Sequence, residues 1–501
     1  MTTSDPDFGL STATELAHAI AAKQVSSREL LEHYRQRIER LNGDINAVVT
    51  FDWDRASEAA VAADAQTAAG AVVGPLHGLP ITIKDAIATE GIRSTGGATE
   101  LTDHVPSADA PVVAALRDAG AIVFGKTNLP RWSGDAQAYN SIFGTTNNPW
   151  DLSRGPGGSS GGASAAVAAG LTSFEIGTDI GGSVRLPAHF AGVCGHKPSF
   201  GIVPQLGYLD HPTGGISEAD VNVFGPLARS VDDLEVVLDV IAGPTERHAP
   251  AWHLDLPAPR TDDPGQLRVA AWLDDATCPV AADVGELLAS AVEALAGAGA
   301  TVASAARPDV ALSRVWEVGL PLISAATTPA RTAEEFALQV EQSSDPELDP
   351  TARMRASASA IRHRDWLLLT EERDADRARW DDFFADHDVL LCPVAATVAF
   401  PHQPTGTLYS RTIEIDGVER PYADLIAWTS FIGYVHLPST VVPVGVTPSG
   451  LPVGIQVVAP YLHDRSALSV ARLLETLLGG YRVPPMAQLG ETGPSGLDNA
   501  F

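Results

Sequence analysis

The sequence predicts an α/β protein in which helices cover a mixed or largely parallel β-sheet. From about residue 75 onward, short apolar runs typical of strands alternate with helical segments and glycine turns. Apolar residues make up 45% of the 501 residues and charged residues 19%, which is enough apolar material to bury a sizeable core. Length alone would suggest about three domains, but the continuous alternation favours one α/β core with a variable insertion.

The first 70 residues form the predicted N-terminal helical segment. Thr12-x-x-Glu15 and Ser26-x-x-Glu29 both have the form of a capping box, in which each side chain accepts a hydrogen bond from the backbone N–H of the other residue. Residues 54–69 are rich in alanine and are also predicted to be helical. The helix after the second box is expected to bury five residues on one face: Leu30, Leu31, Tyr34, Ile38 and Leu41.

Three further segments complete a predicted single domain over residues 1–501. A core covers 75–235, an irregular insertion or lid covers 245–430, and 435–485 return to the core sheet. The predicted strands are Leu79–Ile83, Ala121–Phe124, Thr172–Ile176, Leu267–Leu273, Ser439–Val444 and Pro452–Val458. The predicted helices are Pro111–Ala119, Ala163–Ala169, Val284–Ala296, a polar stretch over Thr332–Trp366, and Ser466–Leu478.

The charge balance argues against several classes of function. Asp and Glu number 62 against 33 Lys and Arg, so the formal net charge is −29. Binding to nucleic acid or to an anionic membrane surface needs basic patches, so neither partner is expected. The sequence has no strongly apolar run of eighteen residues and no secretory signal pattern at its start, which predicts a cytoplasmic location. Three scattered cysteines and the histidine spacings predict no disulfide framework and no metal site.

Lys84 is the first candidate catalytic residue. It ends the apolar run LPITIK, where strand alternation places Thr82 and Lys84 on one face and Ile81 and Ile83 on the other. A lysine that is desolvated in this way has a lowered pKa and can act as a base. The chain uses only four lysines beside 29 arginines, which favours a role that needs a neutral amine. The alternative is a lysine that buries its stem while its ammonium group reaches solvent.

Two glycine-rich segments contain the other candidates. RGPGGSSGG, residues 154–162, fits neither the P-loop nor the G-x-G-x-x-G pattern, so a phosphate site is not expected. Its glycines permit the unusual backbone geometry found at active sites, although a plain glycine-rich loop would have the same composition. GTDIGGSVR, residues 177–185, follows a predicted strand and can present backbone N–H groups beside a serine as an oxyanion hole.

Taken together, these segments resemble the amidase signature family. Lys84, Ser159 and Ser183 follow one another within GLPITIKD, PGGSSGG and GTDIGGSVR, and the surrounding family-like segments are GKTNLP, NNPWDLSRGPGGSSGG, GVCGHKPSFGIVP and FGPLARSVDD. The resemblance is dense over residues 75–235 and looser at the helical N-terminus and the LPSTVVPVG…GLPVGIQVVAP tail. It implies an α/β/α sandwich with a large mixed β-sheet, and hydrolysis of carboxylic amides without a cofactor.

The resemblance also implies a Ser–cisSer–Lys triad. Ser183 corresponds to the nucleophile, and Ser159, which a cis peptide precedes in the family, would connect it to the unprotonated base Lys84. This order is chemically reasonable because serine is a poor nucleophile without a base in hydrogen-bond reach. Four backbone N–H groups would bind the oxyanion, those of Ile180, Gly181, Gly182 and Ser183.

Five other residues near these motifs are expected to be structural. Asp179 and Arg185 flank the nucleophile and should brace its turn. Cys194 is interpreted as a buried thiol and not as a nucleophile. His189 and His196 follow Ser183 closely, but the lysine triad makes a Ser–His pair unnecessary.

The substrate stays open at this point. The family's chemistry covers aryl, aliphatic and amino-acid amides, esters and carbamates. Trp132, Ser133 and Gly134 are predicted to line the pocket, and core packing is the alternative for Trp132. Apolar stretches in the irregular region favour an apolar or aromatic acyl or amine group: Val315–Ile323, Trp366–Leu369 and Leu425–Phe431. The alternative function is the glutaminase component of a tRNA-dependent amidotransferase, which the shared motifs favour and the lack of a basic stretch disfavours. A homodimer is the working expectation.

Overall fold

A computed structural model describes residues 8–212, 214–408 and 410–488, without the side chains of residues 350 and 351. Residues 1–7 of the predicted N-terminal segment lie outside the described residues. The helices are α1 (Ala13–Ala21), α2 (Ser27–Ile45), α3 (Trp53–Ala69), α4 (Pro111–Asp118), α5 (Gly161–Ala168), α6 (Arg185–Ala191), α7 (Val231–Ile241), α8 (Ala282–Gly297), α9 (Leu320–Ala326), α10 (Ala333–Ser343), α11 (Pro350–Ser359), α12 (His363–Asp386), α13 (Ala427–Gly433), α14 (Asp464–Leu478) and α15 (Pro485–Gln488). The strands are β1 (Val48–Phe51), β2 (Pro80–Lys84), β3 (Ile122–Thr127), β4 (Tyr139–Asn140), β5 (Gly144–Thr145), β6 (Glu175–Asp179), β7 (Cys194–Lys197), β8 (Val223–Ala228), β9 (Arg268–Ala271), β10 (Thr301–Ala303), β11 (Val389–Pro393), β12 (Thr412–Ile415), β13 (Val418–Pro421), β14 (Ser439–Val446) and β15 (Pro452–Val458).

The larger sheet contains eight strands in the order β10-β9-β11-β15-β14-β7-β8-β6. The β10/β9 and β9/β11 pairs are parallel, and the other neighbouring pairs are antiparallel. The central strands β14 and β15 are apolar and almost entirely buried, as expected for strands that are covered on both faces. The predicted α/β class with a large mixed sheet is therefore confirmed.

A smaller sheet carries Lys84. Its strand order is β1-β3-β2, so β2 is an edge strand, as β6 is in the larger sheet. The chain just before β6 is bound to this edge, because Thr82 N donates to Thr172 Oγ1 at 3.0 Å and Ser173 Oγ donates to Pro80 O at 2.9 Å. The two sheet edges therefore meet, and the residues that end β2 and β6 come together.

Both predicted capping boxes are present at the N-terminus. The hydroxyls of Thr12 and Ser26 each accept the backbone N–H of the glutamate three residues later at 3.1 Å. Both glutamates in turn accept the backbone N–H of the capping residue at 2.9 Å. The predicted apolar face of the second helix is buried in α2.

Two predictions about the chain's organisation need correction. The strand predicted over Thr172–Ile176 begins three residues later, at Glu175, because the side chains of Thr172 and Ser173 bind the edge of the smaller sheet. The segment 245–430 is not only an insertion or lid, because its apolar strands β9, β10 and β11 extend the larger sheet. The division into segments otherwise stays a prediction.

The predicted polar helical stretch over Thr332–Trp366 forms α10, α11 and the start of α12. No residue of α10 is buried, and its apolar side chains Phe336, Leu338 and Val340 are exposed together with its polar ones. Across residues 8–212, 214–408 and 410–488, no helix combines the length and apolar character that a membrane span requires.

Candidate active site

Three chain segments converge where the two sheets meet. Lys84 ends β2, Ser159 and Ser160 directly precede α5, and Thr178 lies near the end of β6. Every residue of α5 is buried, and its glycines and alanines let this helix approach the strands closely. The convergence places one lysine and three hydroxyl groups in a single buried cluster.

Lys84 is completely buried, and its ammonium nitrogen contacts hydroxyl groups. Nζ lies 2.7 Å from Ser159 Oγ, 3.0 Å from Ser160 Oγ and 2.7 Å from Thr178 Oγ1. Burial lowers the pKa of Lys84 to about 7, against the opposing effect of two carboxylates on β6. Near neutral pH this side chain is therefore partly a neutral amine that can accept a proton. The alternative of a lysine that reaches solvent is wrong.

The scarcity of lysine does not single out this residue. Lys126 and Lys197 are equally buried, and burial lowers the pKa of each of them as well. Lys126 donates to a backbone carbonyl and one threonine hydroxyl, and Lys197 donates to two backbone carbonyls. A carbonyl cannot pass a proton onward, whereas a hydroxyl both donates and accepts. Lys84 differs from both in having three hydroxyl partners, whereas Lys126 has one and Lys197 has none.

Asp179 and Arg185 hold the turn that follows β6. The Asp179 carboxylate accepts the backbone N–H groups of Gly182 at 2.8 Å and Val184 at 3.0 Å, and it forms a buried ion pair with Arg185 at 2.9 Å. Burial alone would raise the pKa of Asp179, but the guanidinium of Arg185 lowers it to about 2. Gly182 has a φ of +128°, and a Cβ there would collide with the hydroxyl of Thr429. The predicted bracing role of Asp179 and Arg185 is confirmed.

Three of the four predicted oxyanion donors are available. The backbone N–H groups of Ile180, Gly181 and Ser183 make no hydrogen bond with any described residue. The N–H of Gly182 donates to Asp179, so the prediction for this donor needs correction. Two hydroxyls of α13 bind the Gly181 carbonyl at 2.7 and 3.1 Å, which fixes the orientation of the turn.

Ser183 is partly exposed, whereas Lys84 and Ser159 are buried beneath it. Its carbonyl accepts the N–H of Ser160 at 3.2 Å, which ties the two turns together. The Gly158–Ser159 peptide bond is cis. Ser183 Oγ makes no hydrogen bond with any described residue, so the expected contact with Ser159 is not formed. Such contacts often tighten only when substrate binds.

Apolar side chains lie beside the same turn. A Cβ on Gly181 would lie 3.6 Å from Ile426 Cδ1 and 3.9 Å from Ile323 Cδ1. Ile323 belongs to α9 and Ile426 directly precedes α13, so two of the apolar stretches singled out in the sequence reach the turn that follows β6. In the third stretch, Leu367 and Leu368 are about half exposed on α12.

Known proteins of one family are similar to this chain over most of its length. A model of the Amidase family matches residues 29–468 of the chain. The chain belongs to the Amidase family. Its chemistry is the hydrolysis of carbon–nitrogen bonds in carboxylic amides, as the sequence predicts.

Two relatives of this amidase are named for different activities. The chain is 33% identical over 469 residues to an indoleacetamide hydrolase from Bradyrhizobium diazoefficiens, covering 93% of this chain and 86% of the relative. It is also 33% identical over 495 residues to the A subunit of the glutamyl-tRNA(Gln) amidotransferase from an Anaeromyxobacter species, covering 94% and 97%. Among solved structures, a bacterial aryl acylamidase of the amidase signature family is similar with a TM-score of 0.79 and 25% identity, covering 97% and 99% of the two chains.

Several members of the polar cluster are missed by sequence reasoning. Thr178 contacts Lys84 as closely as Ser159 does, and Ser160 lies only slightly farther away at 3.0 Å. Glu175 is a buried carboxyl on the same strand as Thr178. The second serine of GGSSGG and the threonine of GTDIGG are visible signals. Nothing in the sequence indicates that both hydroxyls face the lysine, because their approach depends on how two sheet edges meet.

The predicted substrate-binding residues lie close to this centre in the chain. Trp132 and Ser133 are buried with positive φ values of 52° and 57°. Trp132 Nε1 and Ser133 Oγ have no hydrogen-bond partner among the described residues. Residues 135–137, directly after Gly134, pack against Gly158. These contacts leave the substrate-binding role a prediction.

The residues interpreted as structural have structural partners. Cys194 is buried, and burial raises its pKa well above that of an ordinary thiol. His189 bonds to the backbone of Gly454, and His196 lies between Thr440 and Asp464. Neither histidine bonds to Ser183.

Proposed function

We propose that this amidase hydrolyses amides with an apolar or aromatic acyl or amine group, using Ser183 as the nucleophile and Lys84 as the base. The observation that carries the proposal is the 2.7 Å contact between Lys84 Nζ and Ser159 Oγ inside a fully buried cluster. A neutral amine at this position can accept a proton that a hydroxyl relays.

The proposed reaction has two stages. Ser183 Oγ attacks the amide carbon while its proton passes to Ser159 Oγ, whose own proton passes to Lys84 Nζ. The resulting oxyanion accepts hydrogen bonds from the free N–H groups of the turn. The proton returns through Ser159 to the nitrogen of the leaving amine, and the carbon–nitrogen bond breaks. Water then attacks the acyl-enzyme by the same relay and releases the carboxylic acid.

The apolar side chains beside the turn support the proposed substrate class. Ile323 and Ile426 approach Gly181, next to the position of the substrate's carbonyl. Burying an apolar substituent against such side chains is favourable by about 25 cal/mol per Å². A charged amino-acid substrate would instead have to desolvate its charges at this wall.

The glutaminase component of a tRNA-dependent amidotransferase is the second candidate. Its support is the similarity to an amidotransferase component over 94% of the chain. The net charge of −29 and the isoleucines beside the turn favour the stand-alone hydrolase. For the stand-alone hydrolase, the proposal includes the predicted homodimer.

Covalent labelling should identify Ser183 as the nucleophile. A fluorophosphonate probe is expected to attach to Ser183 and to no other serine, because its hydroxyl is partly exposed and the proposed relay through Ser159 would connect it to Lys84. Mass spectrometry of proteolytic peptides measures the site. An apolar amide in excess should slow the labelling. Labelling at a different serine would contradict the assignment.

A substrate panel should separate the candidate functions. We expect anilides and indole-type primary amides to be hydrolysed with a higher kcat/KM than acetamide, and glutamine to release little ammonia. Matched esters and carbamates with the same acyl or aryl group test how far the leaving group can vary. A preference for glutamine, or glutamine hydrolysis that appears only when the other amidotransferase components are added, would support the second candidate.

A further inference from the structure

Glu175 is a buried carboxyl that the reaction above does not use. It begins β6 and is completely removed from solvent. It accepts hydrogen bonds from the Thr127 hydroxyl and, at 2.7 Å, from the Ile176 N–H. No lysine, arginine or histidine within the described parts of the chain forms an ion pair with it. A carboxyl placed in this way is costly to keep charged.

The Glu175 side chain faces β2, the strand that Lys84 ends. Thr127, which donates to Glu175, is the register partner of Lys84 in the β2/β3 pair. Thr82 Oγ1 makes no well-formed hydrogen bond, but its hydroxyl lies near the Glu175 carboxyl and lowers the pKa of that group. Because Thr82 and Lys84 lie two residues apart on one strand, they share the face that Glu175 approaches.

The charged groups around Glu175 come from three strands. β2 contributes Lys84, β3 contributes Lys126, and β6 itself contributes Asp179. The adjoining β8 and α5 carry no titratable side chain. Asp179 is held as a charged carboxylate by Arg185, so its effect on Lys84 is constant near neutral pH. Glu175 is the neighbour of Lys84 whose charge can change.

We propose that Glu175 is a positioning residue whose charge sets the pH at which Lys84 becomes the neutral amine required by the reaction. The inference rests on the proposed function, because it acts through Lys84 as the base. A negative Glu175 favours the ammonium form of Lys84, and a protonated Glu175 favours the neutral amine. The two groups therefore titrate as a pair.

The protonation equilibria of the two groups overlap. Burial raises the pKa of Glu175 to about 7, although the hydrogen bond from Thr127 opposes the rise. Burial lowers the pKa of Lys84 to about 7, although Asp179 and Glu175 oppose the fall. Near neutral pH, one proton is thus shared between Lys84 and Glu175. When Lys84 carries it, both groups are charged and the pair is inactive. When Glu175 carries it, both groups are neutral and Lys84 can accept a proton from Ser159.

The test is the pH dependence of kcat/KM for Glu175→Gln, measured on an anilide substrate. The substitution keeps the shape and removes the charge, so we expect the acidic limb to move down by about one pH unit. At pH 6 this shift corresponds to a gain of about fivefold over the wild type. Thr127→Val removes the donor that stabilises the carboxylate, so its limb should move in the same direction by less.

Glu475→Gln is the matched control. Glu475 is partly buried and, like Glu175, has a pKa that burial raises, but it contacts Cys194 and Val231 and is not among the groups that shift the pKa of Lys84. Its substitution should leave the acidic limb in place. An unmoved limb in Glu175→Gln, or a uniform loss of activity at every pH, would overturn the proposal. If the limb disappears in Lys84→Met yet stays unmoved in Glu175→Gln, only the role of Glu175 fails; a limb that persists in Lys84→Met contradicts the proposed base itself.

Discussion

Ser183→Ala is expected to lower kcat for amide hydrolysis by roughly a millionfold, as in other serine hydrolases that lose their nucleophile. The substitution removes the oxygen that we propose forms the acyl-enzyme, while Lys84 and Ser159 remain in contact. Steady-state kinetics on an anilide, together with the loss of fluorophosphonate labelling, measures the effect.

The protein should fold normally after this change. Ser183 Oγ makes no hydrogen bond with any described residue, so its removal leaves no buried partner unsatisfied. The melting temperature should therefore stay close to that of the wild type. Ser57→Ala, on the exposed face of α3, is the control and should keep full activity. Retention of more than a trace of activity in Ser183→Ala would contradict the assignment.

Local patterns predict the fold's local elements well. The capping boxes of α1 and α2 and the buried face of α2 follow from side-chain spacing within a few residues. The division of the strands between two sheets does not follow from such spacing. It depends on Thr172 and Ser173 binding the edge of β2, and the sequence carries no signal for this long-range contact.

The strands of the segment 245–430 show a second limit of sequence reasoning. β11 has the continuous apolar sequence VLLCP, which periodicity cannot distinguish from a buried helix segment. β10 is only three residues long. The positions of β10 and β11 in the larger sheet are set by pairing with strands distant in the chain. Because sequence patterns do not show such pairing, the irregular pattern of residues 245–430 predicts an insertion instead.

The candidate site divides in the same way. The motifs identify Lys84, Ser159 and Ser183, and the structure places Lys84 against Ser159. The motifs do not reveal that Gly182 donates to Asp179, because both residues lie in the same glycine-rich turn and its backbone conformation decides which N–H groups are free. Glu175 is hidden for another reason: an acidic residue at the start of a short strand does not show which strand its side chain faces.

Lys84→Met should reduce kcat/KM for amides by about 100- to 10,000-fold, the usual contribution of a general base. Methionine keeps the length of the buried side chain and removes the group that accepts the proton. Lys84→Arg should be as inactive, because its guanidinium stays protonated at every working pH. The pH dependence of kcat/KM for the wild type, measured on its acidic side, is the reference for both variants.

The pH profile decides whether the lysine is the base or only a structural neighbour. In the wild type, activity should fall as the pH falls through about 7, because burial lowers the pKa of Lys84 to that range and the protonated amine cannot accept the relayed proton. In Lys84→Met the residual activity should no longer rise through this range. Lys197→Met is the matched control, since Lys197 is equally buried but donates only to backbone carbonyls. This substitution should lower the melting temperature and keep the acidic limb of the wild-type pH profile. An acidic limb that vanishes in Lys197→Met and persists in Lys84→Met would show that Lys197 is the base.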